Sequence, residues 1–215
     1  GEEDMLIILG LLLLFLIVVI GGDRGVVSII SLCGNMLFLS LAIWLMAAGA
    51  PVLLVTVGAA VIISCITLFY QNGTNVKTKS AFIATLLTMT VLFVFIYIIV
   101  WSSETGGLNE IQAAEEDVLY YNMDLDINMR NVAIAVIILS TLGAVLDMAL
   151  TVTTSVYEIS IHKPDMSIVE IIESGIQIGR EVIGTTVNTL LFAYLGESLL
   201  LFSYLKMRNY TLETL

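Results

Sequence analysis

The stretch VVSIISLCGNMLFLSLAIWLMAAGAPVLLVTVGAAVIISCITLFY, residues 26–70, contains no charged side chain. The hydrocarbon layer of a bilayer is about 30 Å thick, which takes roughly 20 helical residues at about 1.5 Å each. The run is about twice as long as one crossing needs. It suits two helices joined by a tight turn at Gly49-Ala50-Pro51, with Pro51 tolerated in the first turn of the second. A barrel strand would alternate apolar and polar residues over a shorter length, whereas this run is continuous.

The rest of the chain agrees with this stretch. Its 215 residues are 59% hydrophobic and only 13% charged, with a mean hydropathy of +1.02. A water-soluble domain of that composition would have too few polar side chains to cover its core. Apolar segments at 5–21, 26–48, 51–70, 80–101, 131–156 and 182–205 predict an all-α polytopic transmembrane bundle of about six spans. Met5–Ile20 follows Glu2, Glu3 and Asp4 rather than a basic start, so it reads as a retained span and not a secretory signal. No internal repeat stands out, and a single domain over residues 1–215 is expected.

Charge sets an expected orientation. Arg24, Lys77, Lys79, Lys163 and Arg180 fall on the first, third and fifth connections, which share one side if six spans alternate. The positive-inside rule places that side in the cytoplasm. The acidic loop at about 102–130, with seven carboxylates before Arg130, then lies outside the cell. Leu108, Ile111, Val118 and Leu119 give that loop a short amphipathic helix; its charge either sets topology or attracts cations and partners. Lys206 and Arg208 oppose this arrangement. The polar interruptions between 168 and 205 offer a reason: the last segment is either kinked but continuous, or broken and re-entrant.

Polar residues within apolar runs are the functional candidates. Asp147 lies in GAVLDMAL, residues 143–150, and a central carboxylate costs roughly 2.5–3.5 kcal/mol on insertion scales. It must face protein or water, either as a proton- or cation-coupling group or as an interhelical packing contact. Thr185, Thr186, Asn188 and Thr189 form a second cluster, able to coordinate a polar solute or to tie helices together. Arg180 and Glu181 mark an entry into the membrane. Glu158 and His162 have i,i+4 spacing, but two residues make a poor metal site, so no metal and no cofactor is expected. Asn35, with Ser31 on its face, reads as interhelical glue. Trp44, Tyr97 and Trp101 suit interfacial anchoring. Cys33 and Cys65 read as packing residues. The net charge of −11 without a basic cluster argues against nucleic acid. No nucleophile–base–acid set is visible, so no enzymatic activity is expected.

Three stretches carry a resemblance: LFYQNGTNVKTKSAF at 68–82, LGAVLDMALTVTTSVYEI at 142–159 and SGIQIGREVIGTTVNTLLFAYLG at 174–196, with GGDRGVVSIISLCGN at 21–35 beside them. With these the chain resembles the YibE/YibF-like family of bacterial multi-pass membrane proteins, closer to the YibF type. Departures are His162-Lys163-Pro164 in place of an Asn-Pro pattern, Glu181 for Asp, and Glu197 after Gly196. The resemblance implies the bacterial cytoplasmic membrane, a related partner protein, and a chain that continues past Leu215. The expected role is a permease or secondary transporter of a small polar or charged solute, acting through Asp147 and the Thr185–Thr189 cluster. The alternative is a non-transporting assembly subunit that pairs with a homologous membrane protein or with itself.

Overall fold

The structure, a computed structural model, describes residues 2–102 and 129–207. The acidic loop between them, with its expected amphipathic helix, lies outside the described residues, as does Arg208. The chain is all-helical among the described residues: α1 (Glu2–Ala47), α2 (Val52–Cys65) continued by a π-helical turn (Ile66–Tyr70), α3 (Val76–Ser102), α4 (Met129–His162) and α5 (Ile168–Met207). Two compact units divide it at Thr153/Thr154. Four helical stretches are long and apolar enough to cross a membrane: Met5–Ala47, Val52–Tyr70, Val76–Ser102 and Arg130–His162. The six expected crossings differ from these at both ends of the chain. Their first two lie in one bent run, and α5 is not among the four.

In α1 two helices meet at Gly22, whose φ of 54° and ψ of −136° are closed to most side chains. A Cβ at Gly25 would collide with the Ile17 carbonyl. Residues eight apart in a straight helix are separated by about 12 Å, so the axis turns sharply here. Gly21–Gly25 is therefore a hinge rather than an open loop. Before it, Met5–Ile20 exposes nearly all its apolar side chains, a surface that lipid would solvate.

The turn after α1 follows its sequence closely. Ala50 N–H donates to the Leu45 carbonyl at 3.0 Å and Gly49 N–H to Met46 at 3.1 Å, with Gly49 at φ 90°. This is a Schellman ending, and Pro51 prevents the helix from resuming at once. Beyond the π-turn, Asn75 and Thr78 cap α3 reciprocally: Thr78 N–H donates to Asn75 Oδ1 and Asn75 N–H to Thr78 Oγ1, both at 3.0 Å.

The core of the first unit lies where α2, α3 and α4 meet. Ile134, Ile138, Leu142 and Leu146 recur every four residues and form one buried stripe on α4. They pack with Ala60 and Leu68, and with Ala81, Met89, Ile96 and Val100 of α3. Small side chains on α2, among them Thr56, Ala59, Ala60 and Ser64, allow close backbone approach. Thr56 and Ser64 donate to their own i−4 carbonyls at 2.8 and 2.6 Å, so burial leaves those hydroxyls satisfied.

The two ends of the unit have different chemistry. Arg24, Ser28, Gln71 and Asn72 share one pocket, which brings the first and third connections to the same end. At the far end of α3, Phe93, Tyr97 and Trp101 stack in succession, and the Arg130 guanidinium sits 5.7 Å from the Trp101 ring centre. Trp101 follows Val76 by about 38 Å of helix.

In the second unit, α5 runs unbroken from Ile168 to Met207. The broken or re-entrant alternative is thereby corrected. The reason is local: Thr185 donates to the Val182 carbonyl and Thr189 to the Thr185 carbonyl, both at 2.9 Å. Such back-bonding satisfies the hydroxyls and bends a helix at most. The start of α5 is a capping box, with Ser167 N–H and Oγ both 2.8 Å from Glu170 Oε2. Those bonds hold the Glu170 carboxyl below its ordinary value. Gly175 lets α5 approach Val156 of α4, whose methyl would lie 3.1 Å from an added Cβ.

Candidate functional site

A groove of about 1080 Å³ runs between the second half of α1, the α2–π segment and α4. Most of its wall is apolar, formed by residues such as Met36, Ile43, Leu139 and Leu146. Its polar members are Asn35, Thr67, Gln71, Asn72, Ser140 and Asp147. Three of these, Asn35, Thr67 and Asn72, share one hydrogen-bonded set, and Gln71 bonds separately to Ser28. Asn35 Nδ2 donates to Thr67 Oγ1 at 2.9 Å, Asn72 Nδ2 donates to the Thr67 carbonyl at 2.9 Å, and Gln71 Nε2 donates to Ser28 Oγ at 3.0 Å.

The π-turn explains how these groups meet. A π-turn inserts an extra residue into the helix and shifts the residues after it around the axis. Thr67 and Gln71 then both face α1, where Ser28, Ser31 and Asn35 lie on one stripe. The seam is not closed upon itself: Ser31 Oγ and Asn35 Oδ1 are buried without a hydrogen-bond partner among the described residues. A buried unpaired oxygen typically costs about 1–3 kcal/mol, so a donor or cation reaching either one is favoured.

Asp147 stands on the opposite wall, exposed, with Gly143 one turn before it also lining the groove. An added Cβ at Gly143 would meet nothing within 4 Å, which leaves the carboxylate approachable. Asp147 has no hydrogen-bond or ion-pair partner among the described residues.

A family model described as YibE/F-like protein matches residues 9–215. The chain belongs to the YibE/F-like family. No curated protein matches it, and no solved structure does. Two of the stretches that carried the resemblance have definite work in this member. Residues 68–82 contain the end of the π-turn, the groove amides Gln71 and Asn72, and the cap of α3. Residues 142–159 carry Asp147 and the last turns of the buried α4 stripe.

The other sequence candidates lie elsewhere. Thr185, Asn188 and Thr189 are exposed and Thr186 half-buried on α5, in the second unit, and Arg180 is exposed two turns earlier. Glu158 lines a smaller pocket with His162, Lys163 and Ser174, where His162 Nδ1 meets the Glu158 carbonyl at 2.9 Å. Thr67 and Gln71 were missed by sequence reasoning. Asn35 had been read as interhelical glue, and its bond to Thr67 has that character. The available signal was the run Gln71-Asn72 directly after an apolar helix, a point where polar side chains meet a membrane boundary.

Proposed function

We propose that this protein is a multi-pass permease of the bacterial cytoplasmic membrane for a small polar or charged solute, with proton or cation coupling at Asp147. The observation that carries the reading is an unpartnered carboxylate on the wall of a groove whose facing wall bears Asn35, Thr67, Gln71 and Asn72. Ionisable groups on membrane helices are costly and mark solute or ion paths when they face a cavity. The basic end with Arg24, Lys77 and Lys79 is cytoplasmic in this reading, and the acidic loop extracytoplasmic. Each half of α1 would cross the bilayer separately, because the hinge at Gly22 divides a run too long for one span.

The test is solute flux into proteoliposomes under an imposed proton or sodium gradient, for wild type and Asp147→Asn. Gradient-driven uptake lost in the variant, with unchanged folding, is the expected result. Wild-type rates in the variant for every transported solute would remove Asp147 from the path.

A second reading is an assembly subunit whose groove receives a helix of a homologous membrane protein or of another copy. The mostly apolar groove wall and the bare Met5–Ile20 arm favour it. Co-purification of a partner that is lost on replacing groove leucines with Ala, together with no flux for any gradient, would select this reading instead.

A further inference from the structure

Beside the groove, at the hinge end, lies a second and smaller cavity of about 190 Å³. All four of its lining side chains are polar: Arg24, Ser28, Gln71 and Asn72. Gln71 and Asn72 also line the main groove, so the two spaces adjoin. In a chain this apolar, a pocket walled only by polar groups is a local specialisation.

The chemistry of the pocket is that of a donor site. Arg24 makes no hydrogen bond or ion pair among the described residues, which leaves its planar fork of five N–H donors available. Ser28 Oγ accepts from Gln71 Nε2 and donates to no acceptor among the described residues. The helix that begins after Gly22 directs its partially positive end toward this hinge, which also favours an anion. An arginine fork matches the geometry of carboxylate and phosphate oxygens better than any other side chain does. Gln71 and Asn72 each commit one amide N–H, to Ser28 Oγ and to the Thr67 carbonyl, and keep a second N–H to donate.

We propose that the Arg24 pocket is an oxyanion-binding site that holds the phosphate or carboxylate group of a ligand at the mouth of the groove. The proposal deepens the permease reading, because it makes the solute an oxyanion or a zwitterion. A zwitterion would place its cationic group toward Asp147. The same chemistry fits an anionic lipid headgroup at this end of the molecule, and the two sources are separable.

The experiment measures the unfolding midpoint of the purified full chain in two settings. Inorganic phosphate is titrated in neutral detergent, at ionic strength held constant with chloride. In parallel, nanodiscs of phosphatidylcholine are compared with nanodiscs that also contain phosphatidylglycerol. Arg24→Gln, Arg24→Lys and, as a control at the same end, Lys79→Gln are run beside wild type. A saturable phosphate response identifies a free oxyanion, and a response confined to phosphatidylglycerol identifies a headgroup. In either case Arg24→Gln should weaken the apparent affinity about tenfold or more, as loss of a charge-assisted pair does. Arg24→Lys should recover only part of it, while Lys79→Gln stays near wild type. No response to either probe overturns the site, and so does an equal loss in Arg24→Gln and Lys79→Gln. Retained flux without phosphate or headgroup binding removes this site and leaves the permease standing; binding without any flux does the reverse.

Discussion

The hinge gives the sharpest mutational contrast in the molecule. Gly25 and Gly34 lie nine residues apart on the same helix, and both are glycine, yet their surroundings are opposite. A Cβ at Gly25 would collide with the Ile17 carbonyl, a backbone atom that cannot swing aside. A Cβ at Gly34 would rest 3.9 Å from the Ile66 side chain, an ordinary contact. Gly25→Ala must therefore open the bend, at about 1–3 kcal/mol by analogy with overpacked cores. Gly34→Ala adds a contact and removes unfolded-state freedom, for a stabilisation of about 0.4–1 kcal/mol. The two alanines should thus differ by roughly 1.5–4 kcal/mol. Reversible unfolding in bicelles measures the difference, and trypsin cleavage after Arg24 reports hinge opening directly. Equal stabilities, or faster cleavage in Gly34→Ala than in Gly25→Ala, would refute the close-approach argument.

Other expectations are similarly local. Asn35→Leu and Thr67→Val should each cost about 0.5–2 kcal/mol, and the double mutant less than their sum, because one membrane hydrogen bond joins them; a thermodynamic cycle measures the coupling. Glu170 is held below the ordinary carboxylate value of about 4.5 by its bonds to Ser167, then by Lys163. A depressed carboxyl contributes stability that is present above about 4.5 and is lost as pH falls through the folded value. Amide protection in the first turn of α5, taken against the intrinsic rate at each pH, should accordingly fall on acidification below 4.5, and Glu170→Gln should flatten that fall.

Apolar runs were legible in the sequence because a hydrophobic segment of membrane length has few alternatives. The Gly49-Ala50-Pro51 turn and the Gly21–Gly25 break were legible too, since glycine and proline mark backbone geometry rather than packing. The groove was not. It depends on which faces of α1, the π-turn and α4 are opposed, and nothing in local periodicity announces the residue a π-turn inserts. Asp147 was visible as an anomaly, while Thr67 and Gln71 were hidden because a Thr in an apolar helix and a Gln at its end are both ordinary. The glycines and hydroxyls between 168 and 205 left a kinked continuous helix and a broken one both open, and α5 runs as one helix whose Thr185 and Thr189 hydroxyls bond back to their own carbonyls.

The anchors at the far end bear on what Asp147 can do. Trp101 and Arg130 pair as an aromatic–cation contact, the kind of group that sits at headgroup level. From Arg130 to Asp147 is 17 helical residues, or about 25 Å. With Arg130 at one interface, a layer about 30 Å thick ends within roughly a turn of Asp147. The carboxylate is then near the opposite boundary, at the end where Arg24, Gln71 and Asn72 gather, rather than in the middle of the membrane. That position resolves an apparent conflict, since an exposed and unpartnered Asp at mid-membrane would carry the full insertion cost. It also divides the groove by chemistry: a polar mouth, followed by an apolar stretch in which Ser140 is the one polar lining residue among those described. In the proposed permease that mouth would set which solute enters. Its passage beyond Ser140 then requires either a rearrangement of the helices or a further lining surface, and it is there that permease and assembly subunit part company.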